Sequence, residues 1–225
     1  EQPGTTRIGR FGHKRQHASL LSLSADAYVN EMGITSPMQP DENTSNGRTA
    51  RKAPDAPTGV DDEGVDVALF ALFMRATLAP PVDTQIGNSA DGQAGSTLFN
   101  QIGCAVCHVR DITTSAPGTL INGGAARVAN ALGNKRIHPF SDFLLHDVGT
   151  GDGIVQNGGA ASRNRIRTAA LWGLGARGRF MHEGLSFSFE DAIARHANQP
   201  ATARANFNAL SAANRARVLT FLSSL

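Results

Sequence analysis

Only two of the 225 residues are cysteines, so a framework of several disulfides is excluded. A structural zinc site built from two cysteine pairs is excluded as well. No charge of one sign prevails: 21 basic residues face 19 acidic ones, for a net charge of +2. Such a balance makes no strong field toward nucleic acid or an anionic membrane. The longest apolar run, VDVALFALFMRATLAPP, is broken by Asp66 and Arg75 and closed by Pro80 and Pro81, so no transmembrane segment is expected. Aromatic residues make up 6%, with one tryptophan and one tyrosine. A core so short of rings leaves room for a flat apolar cofactor. No stretch alternates apolar and polar residues over strand length, and the fold class expected is all-α with long loops. Its 24 glycines and 10 prolines supply those loops.

The chain opens at Glu1 rather than at methionine, as a processed or trimmed product would. Lack of a signal peptide therefore says nothing against export. A helix is expected from about Leu20, followed by a Pro/Asn/Gly-rich loop through MGITSPMQPDENTSNGR. Residues 53–64, APDAPTGVDDEG, have linker composition. Val65, Leu69, Leu72 and Phe73 then recur at helical spacing up to the stop at Pro80. A short helix from Ser96 to Ile102 leads into the cysteines. Near the end, Ser188 and Ser211 stand where helix caps are expected, the latter opening a helix whose apolar stripe is Val218, Phe221, Leu222 and Leu225.

The two cysteines lie in GCAVCHV, residues 103–109. A thioredoxin-like dithiol calls for a βαβ setting, which the flanking sequence lacks. A disulfide across two residues would be strained and would leave His108 without a role. The CxxCH reading uses every residue: Cys104 and Cys107 attach a c-type haem by thioethers, and His108 binds its iron. Covalent attachment implies assembly outside the cytoplasm, hence a periplasmic or otherwise exported bacterial protein. The second axial ligand is not fixed by spacing. Downstream stand Met181, His138, His146, His182 and His196, of which His196 falls at the end of SFEDAIARHA. A packed or exposed histidine accounts for that position as well as a ligand does.

GRFGHK, NEMGITSPMQPDEN, GSTLFNQIGCAVCHV, SDFLLHDVG, RTAALWGLGARGRFMHEG and FEDAIARHA together resemble the bacterial di-haem cytochrome c peroxidase/MauG superfamily. The likeness is greatest to the branch described as di-haem thiol oxidoreductases. It implies that residues 1–52 are the tail of a first haem domain and that 65–225 form a cytochrome c-like domain with one covalent haem, joined by the linker at 53–64. It implies bis-histidine ligation by His108 and His196, since the family's distal ligand position, on the helix after Phe180-Met181-His182-Glu183-Gly184, falls on His196. MauG-type proteins place a tyrosine at that position, and this chain's only tyrosine, Tyr28, is remote from it. A second haem is expected in an N-terminal domain or companion chain. The family's catalytic loop acid corresponds to Glu42, which a solvated loop glutamate explains equally. His13 stands where this branch commonly has tryptophan, and it could as well be an ordinary exposed side chain. Arg167, in the family's Arg-Thr motif, is the candidate propionate partner; Arg163, Arg165, Arg177 and Arg179 are weaker ones. Trp172 is a candidate for packing on porphyrin or simply in the core. The family's calcium ion would fall at residues 177–179, where Arg179 replaces the usual proline. The function implied is electron transfer within a peroxidase-like oxidoreductase that meets an external redox partner. A stand-alone electron carrier and a CxxC thiol–disulfide enzyme are the alternatives.

Overall fold

The computed structural model describes residues 6–43, 59–121, 124, 126–156 and 159–225; the expected linker positions 53–58 lie outside them. Two compact units divide the chain, Glu1–Leu78 and Ala79–Leu225. Among the described residues no helix is long and apolar enough to cross a membrane.

In the first unit, helix α1 (Leu20–Ala27) starts at Ser19, whose Oγ accepts the Ser22 N–H at 3.0 Å, and widens into a π-helical turn over Tyr28–Met32. Helix α2 (Val65–Ala76) begins where the Asp62 carboxylate accepts the N–H groups of Val65, Asp66 and Val67 at 3.1–3.2 Å. Those bonds satisfy donors that a helix start leaves orphaned. Val67 packs with Ala25 and Tyr28, and Ala71 is buried on the same side. The residues at helical spacing, Val65, Leu69, Leu72 and Phe73, lie on the exposed face of that helix. Small residues let α2 lie close to α1, so the buried face is the one lined by Val67 and Ala71. Helix α2 thus belongs to the first unit.

The second unit is organised by helices α4 (Ala90–Gln101) and α7 (Ala212–Ser223), with the short helix α3 (Thr84–Gly87) preceding them and α6 (Ala201–Ala209) beside them. A methyl group on Gly95 would lie 1.9 Å from the backbone oxygen of Arg217 and 2.9 Å from the Cβ of Phe221. Glycine at that point lets the two helices approach backbone to backbone. Phe99, Phe140 and Phe221 meet edge to face at centroid distances of 5.4–6.3 Å. Val218, Phe221, Leu222 and Leu225 are all buried, as their spacing requires.

The all-α expectation does not hold, and the fold is mixed. Between α4 and helix α5 (Phe189–Ala194) lie three two-stranded antiparallel ribbons. They pair β1 (Ile112–Thr113) with β4 (Arg136–Ile137), β2 (Leu120–Ile121) with β3 (Ala126–Arg127), and β5 (Leu145–Asp147) with β6 (Arg165–Arg167). Strands of two or three residues are too short for a period-2 pattern to register, so nothing in the composition announces them.

Gly95→Ala should destabilise the chain by about 2–3 kcal/mol, because backbone cannot yield as a side chain can. Gly178→Ala, which would meet nothing within 4 Å, should stay within about 0.5 kcal/mol of wild type. Denaturant unfolding of the two variants checks both values. Burial pushes the Asp62 carboxyl up, but backbone N–H bonds from Val67, Asp66, Gly64 and Val65 outweigh it and leave the group below its usual value. Its contribution is therefore present above the ordinary carboxylate value of about 4 and fades as pH falls through the depressed one. The gap in Tm between wild type and Asp62→Asn should accordingly be wide at pH 7 and narrow on acidification.

Candidate functional site

Helix α4 ends at Gln101 with Ile102 as its cap, and Gly103, at φ 96°, turns the chain into a single 3-10 turn over Cys104–Val106. Side chains three apart eclipse in such a turn, which sets the Cys104 and Cys107 sulfurs on one side with His108 next to them. The His108 N–H closes the turn on the Cys104 carbonyl at 3.0 Å. Cys104 packs at the edge of the core, and neither cysteine is in a disulfide.

The loop that follows β4 supplies the other half of the proximal side. Phe140, in the left-handed region at φ 49°, is buried and points its carbonyl at His108 Nδ1, 2.9 Å away. Three bonds pin this loop. Ser141 N–H donates to the Val109 carbonyl at 2.9 Å, Asp142 N–H to the Cys107 carbonyl at 2.8 Å, and Ser141 Oγ to the Thr168 carbonyl at 2.7 Å.

His196 faces His108 from across the site, with ring centroids 6.5 Å apart. Helix α5, capped by Ser188 Oγ on the Asp191 N–H, stops at Ala194, so His196 sits in the turn just beyond it rather than on its last turn. Its Nδ1 bonds the Ala192 carbonyl at 2.7 Å. Two further clamps hold this turn. Arg195 forms an ion pair with Glu183 and donates to Ser186 Oγ at 2.9 Å. The Ala197 and Gln199 N–H groups bond the carbonyls of Val148 and Asp147, which fastens the turn to β5 and the residue after it.

This arrangement fits a metal gripped from two sides. Imidazole nitrogens bind metal at about 2.0–2.1 Å, which puts the centroids of two opposed rings roughly 6–6.5 Å apart. In both rings Nδ1 is spent on a backbone carbonyl, the outer-shell bond that fixes a ligating histidine's tautomer and leaves Nε2 for the metal. Burial keeps both imidazoles neutral, lowering His108 to about 4 and His196 below its usual value. Neutral imidazole is the form that ligates. Burial also pushes the Cys104 thiol up to about 11, and the Cys107 thiol rises for the same reason with help from the Asp142 charge. A reactive dithiol needs the opposite shift, so the pair is poorly suited to thiol–disulfide exchange.

Arg167 and Trp172 both meet Phe143, the guanidinium carbon at 5.9 Å and the indole at 6.3 Å from its ring centroid. They thus stand on the loop that carries the Phe140 carbonyl. Glu42 and His13 are exposed residues of the first unit, and Tyr28 is in that unit's core. Arg163 and Arg165 are exposed. Around residues 177–179, the Arg177 guanidinium donates to the Trp172 carbonyl at 2.9 Å and the Arg179 guanidinium to the Gly184 carbonyl at 3.4 Å. No local spacing marks Phe140, Glu183 or Arg195: Phe140 acts through its backbone carbonyl on His108, and Glu183 and Arg195 act on each other.

Two facing imidazoles beside a CxxCH turn are the groups a haem-binding redox protein would present, and the family comparison points the same way. Residues 1–225 match the family model described as "Di-haem oxidoreductase, putative peroxidase", and the chain belongs to that family. The resemblance read from the sequence is borne out, and with it a redox role and haem as cofactor. No curated protein matches the sequence. Among solved structures the chain is similar to hydrazine synthase of Kuenenia stuttgartiensis, determined under 20 bar xenon, at 18% identity and a TM-score of 0.43. The match covers 74% of this chain and 57% of that one.

Removing Glu183 should leave the half-buried Arg195 without its carboxylate. Glu183→Ala is expected to cost about 1–2 kcal/mol in denaturant unfolding, between surface and buried ion pairs.

Proposed function

We propose that this chain relays electrons within a di-haem oxidoreductase of the peroxidase/MauG type, through one covalent haem c. Cys104 and Cys107 tether the haem, and His108 and His196 hold its iron from opposite faces. The single observation that carries this reading is the 6.5 Å separation of two imidazoles whose Nδ1 atoms are both committed to backbone carbonyls. When bound, the haem supplies a one-electron iron couple. With an imidazole on each side, a bound haem would keep no open position, so the two histidines would suit the site to passing electrons rather than binding peroxide. Anchoring each ring through Nδ1 would fix its orientation for holding the group. Arg167 offers a cation to a propionate, and Trp172 packs beside the same loop.

The chain has one CxxCH motif in a family described as di-haem. The second haem then resides on an N-terminal domain or a companion chain, and an external redox partner completes the circuit. Attachment by thioethers goes with a periplasmic or otherwise exported location.

His196→Met tests this assignment. Thioether ligation raises the reduction potential relative to a second imidazole, and the iron should stay low-spin. Redox titration with optical spectra reads both quantities. An unchanged potential with an unchanged spectrum would show that His196 is not the ligand. Haem staining after a denaturing gel tests attachment separately: colour should stay with wild type and leave the Cys104→Ala/Cys107→Ala double variant.

A further inference from the structure

Behind the haem-facing turn, three side chains of different chemistry converge. Cys107 Sγ, an Asp142 carboxylate oxygen and a His146 ring nitrogen all lie within 4.8 Å of one another. Asp142 Oδ2 and His146 Nε2 are 2.8 Å apart, and the two side chains are only 12% and 18% exposed. The backbone fixes the set: Asp142 N–H bonds the Cys107 carbonyl at 2.8 Å, Leu144 N–H bonds Asp142 Oδ1 at 2.9 Å, and His146 lies on β5 opposite Ile166. The Asp142 and His146 side chains have no part in the electron relay proposed above.

We propose that Cys107, Asp142 and His146 form a three-ligand site for a divalent ion of the zinc class, filled in the full chain before its haem is attached. One thiolate, one carboxylate and one neutral imidazole cancel the charge of the ion, which suits a half-buried place. The mixed sulfur, nitrogen and oxygen set selects zinc over magnesium or calcium, which take oxygen ligands in larger number. Three protein ligands leave a fourth position for water. The ion takes the place of the hydrogen between Asp142 Oδ2 and His146 Nε2, and Leu144 N–H goes on orienting the carboxylate as an outer-shell partner. On binding, the Cys107 S–H bond breaks, the sulfur forms a bond to the ion, and one proton leaves to solvent. The Nε2 proton of His146 passes to Nδ1 by tautomeric exchange, and nothing is oxidised or reduced. An ion held there keeps Cys107 from pairing with Cys104. Once the sulfur is a thioether its affinity falls, so ion and second tether exclude each other. The timing alone rests on the haem reading; the ligand set does not.

The test uses the full-length reduced chain made without haem attachment, with Co2+ as probe and Zn2+ as competitor. Wild type should bind one Co2+ with a sulfur-to-cobalt charge-transfer band that zinc removes, releasing one proton per ion. Cys104→Ala should keep the band. His146→Ala and Asp142→Asn should each weaken zinc binding by at least about tenfold, the loss that even outer-shell changes reach. Absence of the band in wild type would overturn the proposal. So would equal binding by His146→Ala, or loss of binding in Cys104→Ala, which would assign the ion to the cysteine pair. Haem retention by His146→Ala in a denaturing gel, after production with attachment, reports on the haem reading independently of these outcomes.

Discussion

The distance between two imidazole rings is the constraint on which the second unit depends. His108 is fixed by the Phe140 carbonyl and His196 by the Ala192 carbonyl, and 6.5 Å separates their centroids. A water hydrogen-bonded to both rings would need a wider gap, since N···O hydrogen bonds of about 2.8–3.2 Å exceed metal–nitrogen bonds of about 2.0–2.1 Å. The rest of the unit can be understood as the means of keeping that gap. Helices α4 and α7, in contact at Gly95, anchor the proximal turn. The β5 strand and the Glu183–Arg195 pair anchor the distal one.

Backbone groups do most of this positioning. Phe140 adopts a left-handed conformation that costs free energy for a residue with a Cβ, and buried packing against Phe99 and Phe221 offsets it. Its carbonyl thereby faces His108 rather than solvent. On the distal side the residues after α5 leave the helix and add to the edge of β5, which is why His196 projects from a turn. A turn fastened at both ends is as firm a mount as a helix end, and it brings the ring in at a different angle.

Sequence reading reached the parts whose signals are local. CxxCH sets three chemical groups within five residues, the α7 stripe repeats every three to four positions, and Ser188 announces a helix start. It missed what depends on partners far along the chain. The apolar spacing of α2 was correct as a helix signal, yet it did not say which face meets α1; Val67 and Ala71 won because their size permits close approach. The ribbons were invisible for want of length, and with them the mixed fold class. Phe140 and Asp142 owe their roles to bonds reaching back 32 and 35 residues, to His108 and Cys107, beyond any local window, and the Glu183–Arg195 pair matches no local motif.

The near-infrared magnetic circular dichroism of the ferric protein, recorded together with its low-temperature electron paramagnetic resonance, tests the central claim most directly. The two methods identify the pair of axial ligands from the iron itself. The account predicts a low-spin iron with two imidazoles. A high-spin iron, or the signature of one imidazole with a thioether or an oxygen donor, would contradict it.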